Sequence, residues 1–255
     1  MLLRFDATMN GQSISQIDPA LTLRDIIELD ADVDKQYAPR AIHPGTRISA
    51  RVRRSTTVRL VYIVRERDVA ARTAIINKLA DWAGDGGWLT ISTRPDMRLR
   101  VEADQSPRVD SALKWTQDLI LDLTAYSRPY WEDMFPVQSV ITDKGVIRPR
   151  GTYPIAYVQA DITNTGSGAL TTCEVTCGDT KITLNDLVVA PGEHVTISYD
   201  DDDILHITAG GFTALDKRTA ASQDDLVAMT RVDNTISVSC DQPVSAVFYA
   251  RGRYR

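Results

Sequence analysis

Short runs in which every second residue is apolar, separated by turn residues, dominate this chain and leave few folds open to it. Met97, Leu99, Val101 and Ala103 alternate with Arg98, Arg100, Glu102 and Asp104. Ile48, Ala50 and Val52 alternate with Arg47, Ser49, Arg51 and Arg53, and Val58, Leu60, Tyr62 and Val64 follow the short break at Ser55 and Thr56. Strands turn successive side chains to opposite faces, so this period buries one face and wets the other. The pattern predicts a hairpin over 48–64 and a long strand from Leu113 through Trp115, Gln117, Leu119 and Leu121 to Leu123.

One segment breaks the period. Asp68 to Ala83 carries Ala70, Ala71 and Ala74, with Asp68 placed to cap the first turn and Gly84 at the C′ position. Val69, Ile76, Leu79 and Ala80 keep near 3.6-residue spacing and Trp82 closes the end, which predicts one amphipathic helix over about 68–83. The first half is therefore α+β and strand-dominated.

Between Met134 and Thr152 the periodicity weakens, and Pro136, Gly145, Pro149 and Gly151 accumulate. The expected organisation is a first domain over 1–135, a linker or crossing over 136–152, and a second domain over 153–255. In the second, strand-like runs recur at 155–162, 169–177, 181–189, 194–199, 204–208, 234–240 and 244–250. Asn164 to Gly168, Ala190-Pro191-Gly192 and Asp241-Gln242-Pro243 supply turns, so an antiparallel β-sandwich is expected and the fold class is mainly β.

Composition narrows the function. Residues 1–150 hold 22 Lys and Arg against 20 Asp and Glu, and residues 151–255 hold 7 against 14, so the halves carry about +2 and −7. That excess is too mild and unclustered for a main role in nucleic-acid binding. No run approaches the roughly 18 apolar residues of a membrane span, and the first residues lack a signal peptide's apolar region, which predicts a protein made and kept in the cytosol. Cys173 and Cys177, four apart in a strand-like run, would stand about 13 Å apart, twice disulfide reach. The three cysteines read as small apolar residues.

No motif points to catalysis, a metal or a cofactor. The histidines His43, His194 and His206 sit outside any nucleophile elbow, and neither Cys-x-x-Cys nor His-x-x-x-His occurs. Asp200-Asp201-Asp202-Asp203 lacks the spacing of a calcium loop and reads as a solvated acidic turn. Tyr126-Ser127-Arg128-Pro129-Tyr130-Trp131 is read as an anchor closing the first domain through Tyr130 and Trp131, with a ligand platform as the alternative. The faces bearing Arg51 and Arg53, and Arg98 and Arg100, are either solvated or meet acidic groups of a neighbouring subunit.

Taken in order, these elements resemble the distal tail protein family of phages with long, non-contractile tails. The resemblance runs through Val61-Tyr62-Ile63-Val64, Asn77 to Trp82, Trp88-Leu89-Thr90-Ile91, Met97 to Val101 and the closure Ser127 to Trp131. It continues through Gly151 to Ile155, Ala190 to Ile197 and Val247 to Tyr254, and departs where Val232-Asp233-Asn234-Thr235 replaces a Pro-Gly-x-Asn type turn. The resemblance implies a ring-forming first domain and a galectin-like second one. It also implies a homohexameric ring joining the tail-tube protein to tail-tip hub and receptor-binding proteins, with a channel for the tape measure and for DNA in transit. The place would be the virion tail tip, and the host cytoplasm during assembly, with no enzymatic activity, no cofactor and no membrane partner. A carbohydrate-binding adhesion module and a tail-tube subunit with an appended domain stand as alternatives.

Overall fold

The structure, a computed structural model, describes residues 5–29, 33–39, 46–53, 55–112, 117–220 and 222–254; residues 33–39, 46–53, 110–112 and 117 are described by their backbone alone. The chain divides into two compact units, Met1–Trp131 and Glu132–Arg255. The fold is mainly β, with a single α-helix among the described residues.

The first unit contains β1 (Ala7–Met9), β2 (Gln12–Ser13), β3 (Leu21–Leu29), β4 (Val33–Pro39), β5 (Thr46–Arg53), β6 (Thr56–Val64), α1 (Val69–Gly84), β7 (Gly87–Ile91), β8 (Arg94–Ala103), β9 (Arg108–Ala112) and β10 (Gln117–Ala125). Seven of the strands follow one another in the order β2-β1-β7-β8-β10-β6-β3. The central β6 alternates buried and half-buried side chains over its whole length, with Val58, Leu60, Tyr62 and Val64 wholly enclosed. Its partners are β10 on one edge and β3 on the other, both antiparallel.

One expectation about pairing is corrected. β5 forms its hairpin with the preceding β4, from Val33↔Arg53 to Pro39↔Thr46, and not with β6. Alternation states which face of a strand is buried; it does not name the neighbour. Of the run expected as one strand over 113–123, residues 117–123 lie in β10, which pairs antiparallel with β9 from Gln117↔Ala112, and residues 113–116 with Trp115 lie outside the described residues.

Helix α1 begins as its sequence predicts, with the Asp68 carboxylate accepting the Ala71 N–H at 2.8 Å. Its buried stripe is Ile75, Leu79, Trp82 and Ala83, whereas Val69 is exposed and Ile76 half-buried, so the helix is rotated from the expected face. Trp82 sets that rotation by donating from Nε1 to the Gln12 carbonyl at 2.9 Å, which draws its large ring inward over β2. The helix also runs through Gly84, and the left-handed residue that ends it is Gly86, at φ +65°. A Cβ at Gly86 would stand 2.4 Å from the Val101 carbonyl oxygen, so only glycine lets β8 come that close.

A short strand, β11 (Trp131–Asp133), falls where the units divide. The second unit then contains β12 (Val137–Ile141), β13 (Lys144–Ile147), β14 (Ile155–Asn164), β15 (Cys173–Cys177), β16 (Thr180–Leu184), β17 (His194–Tyr199), β18 (Leu205–Ala209), β19 (Phe212–Thr213), β20 (Val227–Met229), β21 (Asn234–Cys240), β22 (Val244–Ala250) and β23 (Arg253–Tyr254). One sheet runs β12-β22-β14-β17-β18-β19 with β20 added on β14, and a second runs β13-β21-β15-β16. Inward side chains from both, among them Val158, Ile162, Val175, Ile182, Ile197, Ile236 and Phe248, make one core. This is a two-sheet antiparallel sandwich.

The stretch 136–152, expected to be a linker or crossing, holds β12 and β13, one in each sheet. The chain changes sheet at the short link between them, which explains the weak periodicity: inward and outward sides exchange across a few residues. Two buried asparagines hold the loops. The Asn234 amide donates to the carbonyls of Ile147, Met229 and Val232 at 3.2, 2.8 and 2.8 Å, while its oxygen accepts the Met229 N–H at 2.8 Å. Asn164 donates to Gly168 and Val189 and accepts from Gly166. Buried loop backbone needs such partners because water cannot reach it.

Candidate interaction surfaces

In the first unit the side of the sheet away from the core is organised by arginine. Trp88 on β7 lies opposite Arg100 on β8, and the diagonal neighbour Arg98 places its guanidinium 3.7 Å from the Trp88 ring centroid. Arg128 approaches the same ring at 5.7 Å, and Arg94 stands 5.3 Å over Trp131. A flat, weakly hydrated guanidinium stacks on an indole face by attraction to the ring quadrupole, leaving its edge for hydrogen bonding. Arg100 donates to the Val101 carbonyl at 3.3 Å. Arg98 and Arg100 are thus neither simply solvated nor buried; both are half-exposed and held by local contacts.

Further along the sheet the arginines meet carboxylates. Arg59 on β6 forks onto both oxygens of Asp122 on β10 at 2.7 and 3.0 Å, and Arg108 on β9 reaches the same carboxylate at 3.3 Å. Arg24 and Asp118, at 3.4 Å, and Arg94 and Glu28, at 2.9 Å, extend the pattern. Cross-strand ion pairs of this kind fix register more than they stabilise, since exposed pairs contribute about 0–1 kcal/mol each.

Tyr130 and Trp131, expected as the aromatic closure, are 5% and 2% exposed. Their burial favours the anchor over the ligand platform, and Thr56 Oγ1 donates to the Pro129 carbonyl at 3.0 Å to hold the closing turn. Arg51 and Arg53 lie on β5, whose side chains fall outside the described residues, as does His43.

The second unit contains a buried charged cluster that sequence reasoning missed. Arg253, 5% exposed, contacts Asp203 at 2.8 Å and the almost fully enclosed Glu132 at 3.5 Å, and its guanidinium lies 4.5 Å over the Tyr157 ring. Tyr157 in turn stacks on Tyr199 with centroids 4.6 Å apart. Nothing local in the sequence marks this cluster, because its members are separated by up to about 120 residues and meet only in the fold. It does account for the acidic run. Asp203 serves Arg253, and Asp200 accepts the N–H groups of Asp202 and Ile204 and pairs with His206 at 3.0 Å. The His206 hydrogen bond, with the Ile204 N–H next, lowers the Asp200 carboxyl to a pKa of about 2. The run is a tied turn, and no group of three potential metal ligands occurs among the described residues.

The other histidine, His194, pairs with Asp161 at 3.0 Å and lines an open cleft with Glu193, Thr196, Thr208, Gly210 and Gly211. Among the described contacts, His194 Nδ1 meets the Thr163 hydroxyl at 3.1 Å and the Asp161 carboxylate at 3.0 Å.

The fold, a helix-bearing β unit followed by a two-sheet sandwich, is similar to that of solved phage hub and baseplate components. The chain aligns with the crystal structure of Dit (gp 19.1) of phage SPP1, described as a paradigm of the hub adsorption apparatus in phages infecting Gram-positive hosts, at a TM-score of 0.72 and 11% identity over 97% of this chain and 98% of that one. It also aligns with a chain of the phage p2 baseplate in its activated conformation with strontium, at a TM-score of 0.55 and 8% identity over 97% of each chain. With calcium the values are 0.54 and 8%, over 99% of this chain and 98% of that one. No protein-family model matches the sequence, and no curated protein matches it. At these identities the likeness is one of fold.

Proposed function

We propose that the chain is a structural subunit of a phage tail tip, a hub protein that assembles with copies of itself into a ring, six-membered by the family resemblance. The ring joins the tail tube to the tip proteins around a channel for the tape measure and for DNA in transit. The observation that carries this reading is the alignment of nearly the whole chain, both units included, with a phage hub protein at a TM-score of 0.72. Supporting it, the conspicuous chemistry of the first unit lies on sheet faces, as a protein whose work is assembly requires. A closed ring of identical subunits needs a heterologous interface, one surface of each copy meeting a different surface of the next. The arginine faces of Arg51, Arg53, Arg98 and Arg100 serve as one side of that interface, with Arg98 pre-oriented by Trp88, and Tyr130 and Trp131 close the unit beneath them. The role involves no turnover and no cofactor.

The test is the mass of the purified protein in solution by light scattering, at low and high salt because charged interfaces weaken under screening. A species of about six chains that imaging resolves as a ring, and that falls apart in Arg100→Glu, is the expected result. A strict monomer at every concentration, together with binding in a glycan screen, would replace this reading with that of a carbohydrate-binding module.

A further inference from the structure

The third cysteine changes what the first two can do. Cys173 on β15 lies directly opposite Cys240 on β21 in the antiparallel register. The Asp241 N–H donates to the Thr172 carbonyl at 3.4 Å, and the Gly178 N–H to the Thr235 carbonyl at 2.9 Å. Hydrogen-bonded pairs therefore fall at 172↔241 and 178↔235, and by alternation Cys173↔Cys240 is a non-hydrogen-bonded pair. Directly opposed residues of that type have Cα atoms about 4.5 Å apart, inside the range that a disulfide spans. Both side chains point to the core side of the sheet: Cys173 is 1% exposed, and Cys240 is half-buried against the core.

From this geometry we infer that Cys173 and Cys240 form a reversible cross-strand disulfide when the protein leaves a reducing compartment for an oxidising one, with a low-molecular-weight disulfide such as oxidised glutathione as the oxidant. The roles of the two sulfurs differ. The Cys173 thiol is held well above its ordinary value by the neighbouring Cys240 and by burial. Cys240 is the half-exposed one of the two, so a dissolved disulfide reaches it first. Its thiolate attacks one sulfur of glutathione disulfide, releasing one glutathione thiolate and leaving a mixed disulfide. Cys173 then gives up its proton and attacks the Cys240 sulfur, expelling the second glutathione. Two protein thiols lose two hydrogens, and one disulfide is reduced to two thiols. Cys177 takes no part: its partner in register is Ile236, and burial pushes its thiol up to about 12.

The bond would staple the two middle strands of the sheet β13-β21-β15-β16, one residue before the turn where Asp241 accepts both the Thr171 and Thr172 N–H groups. The experiment equilibrates the full-length protein over a range of reduced to oxidised glutathione, blocks free thiols under denaturing conditions and maps peptides by mass spectrometry. The expected product is about 2 Da lighter, contains the linked Cys173 and Cys240 peptides with Cys177 alone blocked, and reverts on adding a reductant. Cys240→Ser abolishes it, and Cys177→Ala leaves it intact. Three blocked thiols at every redox ratio would overturn the inference, as would a glutathione adduct that persists on Cys240 without passing to Cys173. Because the readout is a covalent map, it stands apart from the ring assay: either result can fail while the other holds.

Discussion

Tyr62 presents the sharpest conflict at the scale of single residues. It sits at the centre of β6 with no exposed surface, yet its hydroxyl finds no hydrogen-bond partner among the described residues. A buried hydroxyl left unpaired costs about 1–3 kcal/mol. Replacing Tyr62 with Phe, which keeps the ring and removes the oxygen, is therefore expected to leave urea stability unchanged or raise it by about 1 kcal/mol; a loss larger than that would mean the hydroxyl has a partner. The same residue sets a pH dependence. Burial, reinforced by Asp6, holds the phenol well above its ordinary value of 10.0, so the neutral form belongs to the folded state. Its contribution is fully present below pH 10 and is lost as the pH rises toward the folded value, since only the unfolded chain releases the proton there. Tyr62→Phe should flatten the fall in stability above pH 10, measured by urea melts at successive pH values.

Among elements, the helix and its exit turn are the most constrained. Gly86→Ala would combine a strained left-handed backbone with a 2.4 Å approach to the Val101 carbonyl, so β7 and β8 must separate or the helix must end differently. The expected loss is about 2 kcal/mol or more in chemical denaturation. Gly84→Ala, where a Cβ meets nothing, is expected to be neutral or slightly stabilising by comparison. This pair also shows what the sequence made legible. Asp68 as a cap could be read because capping is local, three residues apart. Which glycine ends the helix could not, because the decision rests on how close β8 passes. Likewise most sandwich strands were visible from alternation, whereas the partner of β5 and the crossing through β12 and β13 depend on neighbours distant in the chain. Among the site residues, the burial of Tyr130 and Trp131 follows from their place at the end of the first unit, but the stacking of Arg98 on Trp88 needs register, and the Glu132–Arg253–Asp203 cluster needs the whole second unit.

For the whole molecule, the two units carry separate cores, and they differ in their reporters: all four tryptophans occur at or before Trp131, so tryptophan emission follows the first unit alone. Far-ultraviolet circular dichroism follows both. If the units unfold independently, the two signals will give non-coincident denaturant transitions, and Arg253→Ala will move the second without moving the emission curve. Coincident curves that shift together in Arg253→Ala would show a single cooperative unit. The −7 carried by the second half against about +2 on the first gives a further handle, since its self-repulsion is relieved by salt while the arginine–carboxylate ladder of the first sheet is weakened by it.

The order of strands in the sandwich also bears on how the protein is made. β22 lies between β12 and β14 and pairs with both, Val140 meeting Val247 and Ile162 meeting Ala246. The strands on either side are synthesised about 100 residues before the one that joins them. Until residues 244–250 leave the ribosome, β12 and β14 each wait with a row of unsatisfied backbone groups, and the edge strand β12 has no sheet to join. A nascent or truncated chain lacking that strand offers a ready slot for a strand from another chain. Correct folding of the second unit therefore depends on its slot being closed by its own β22 and not by a strand of another chain.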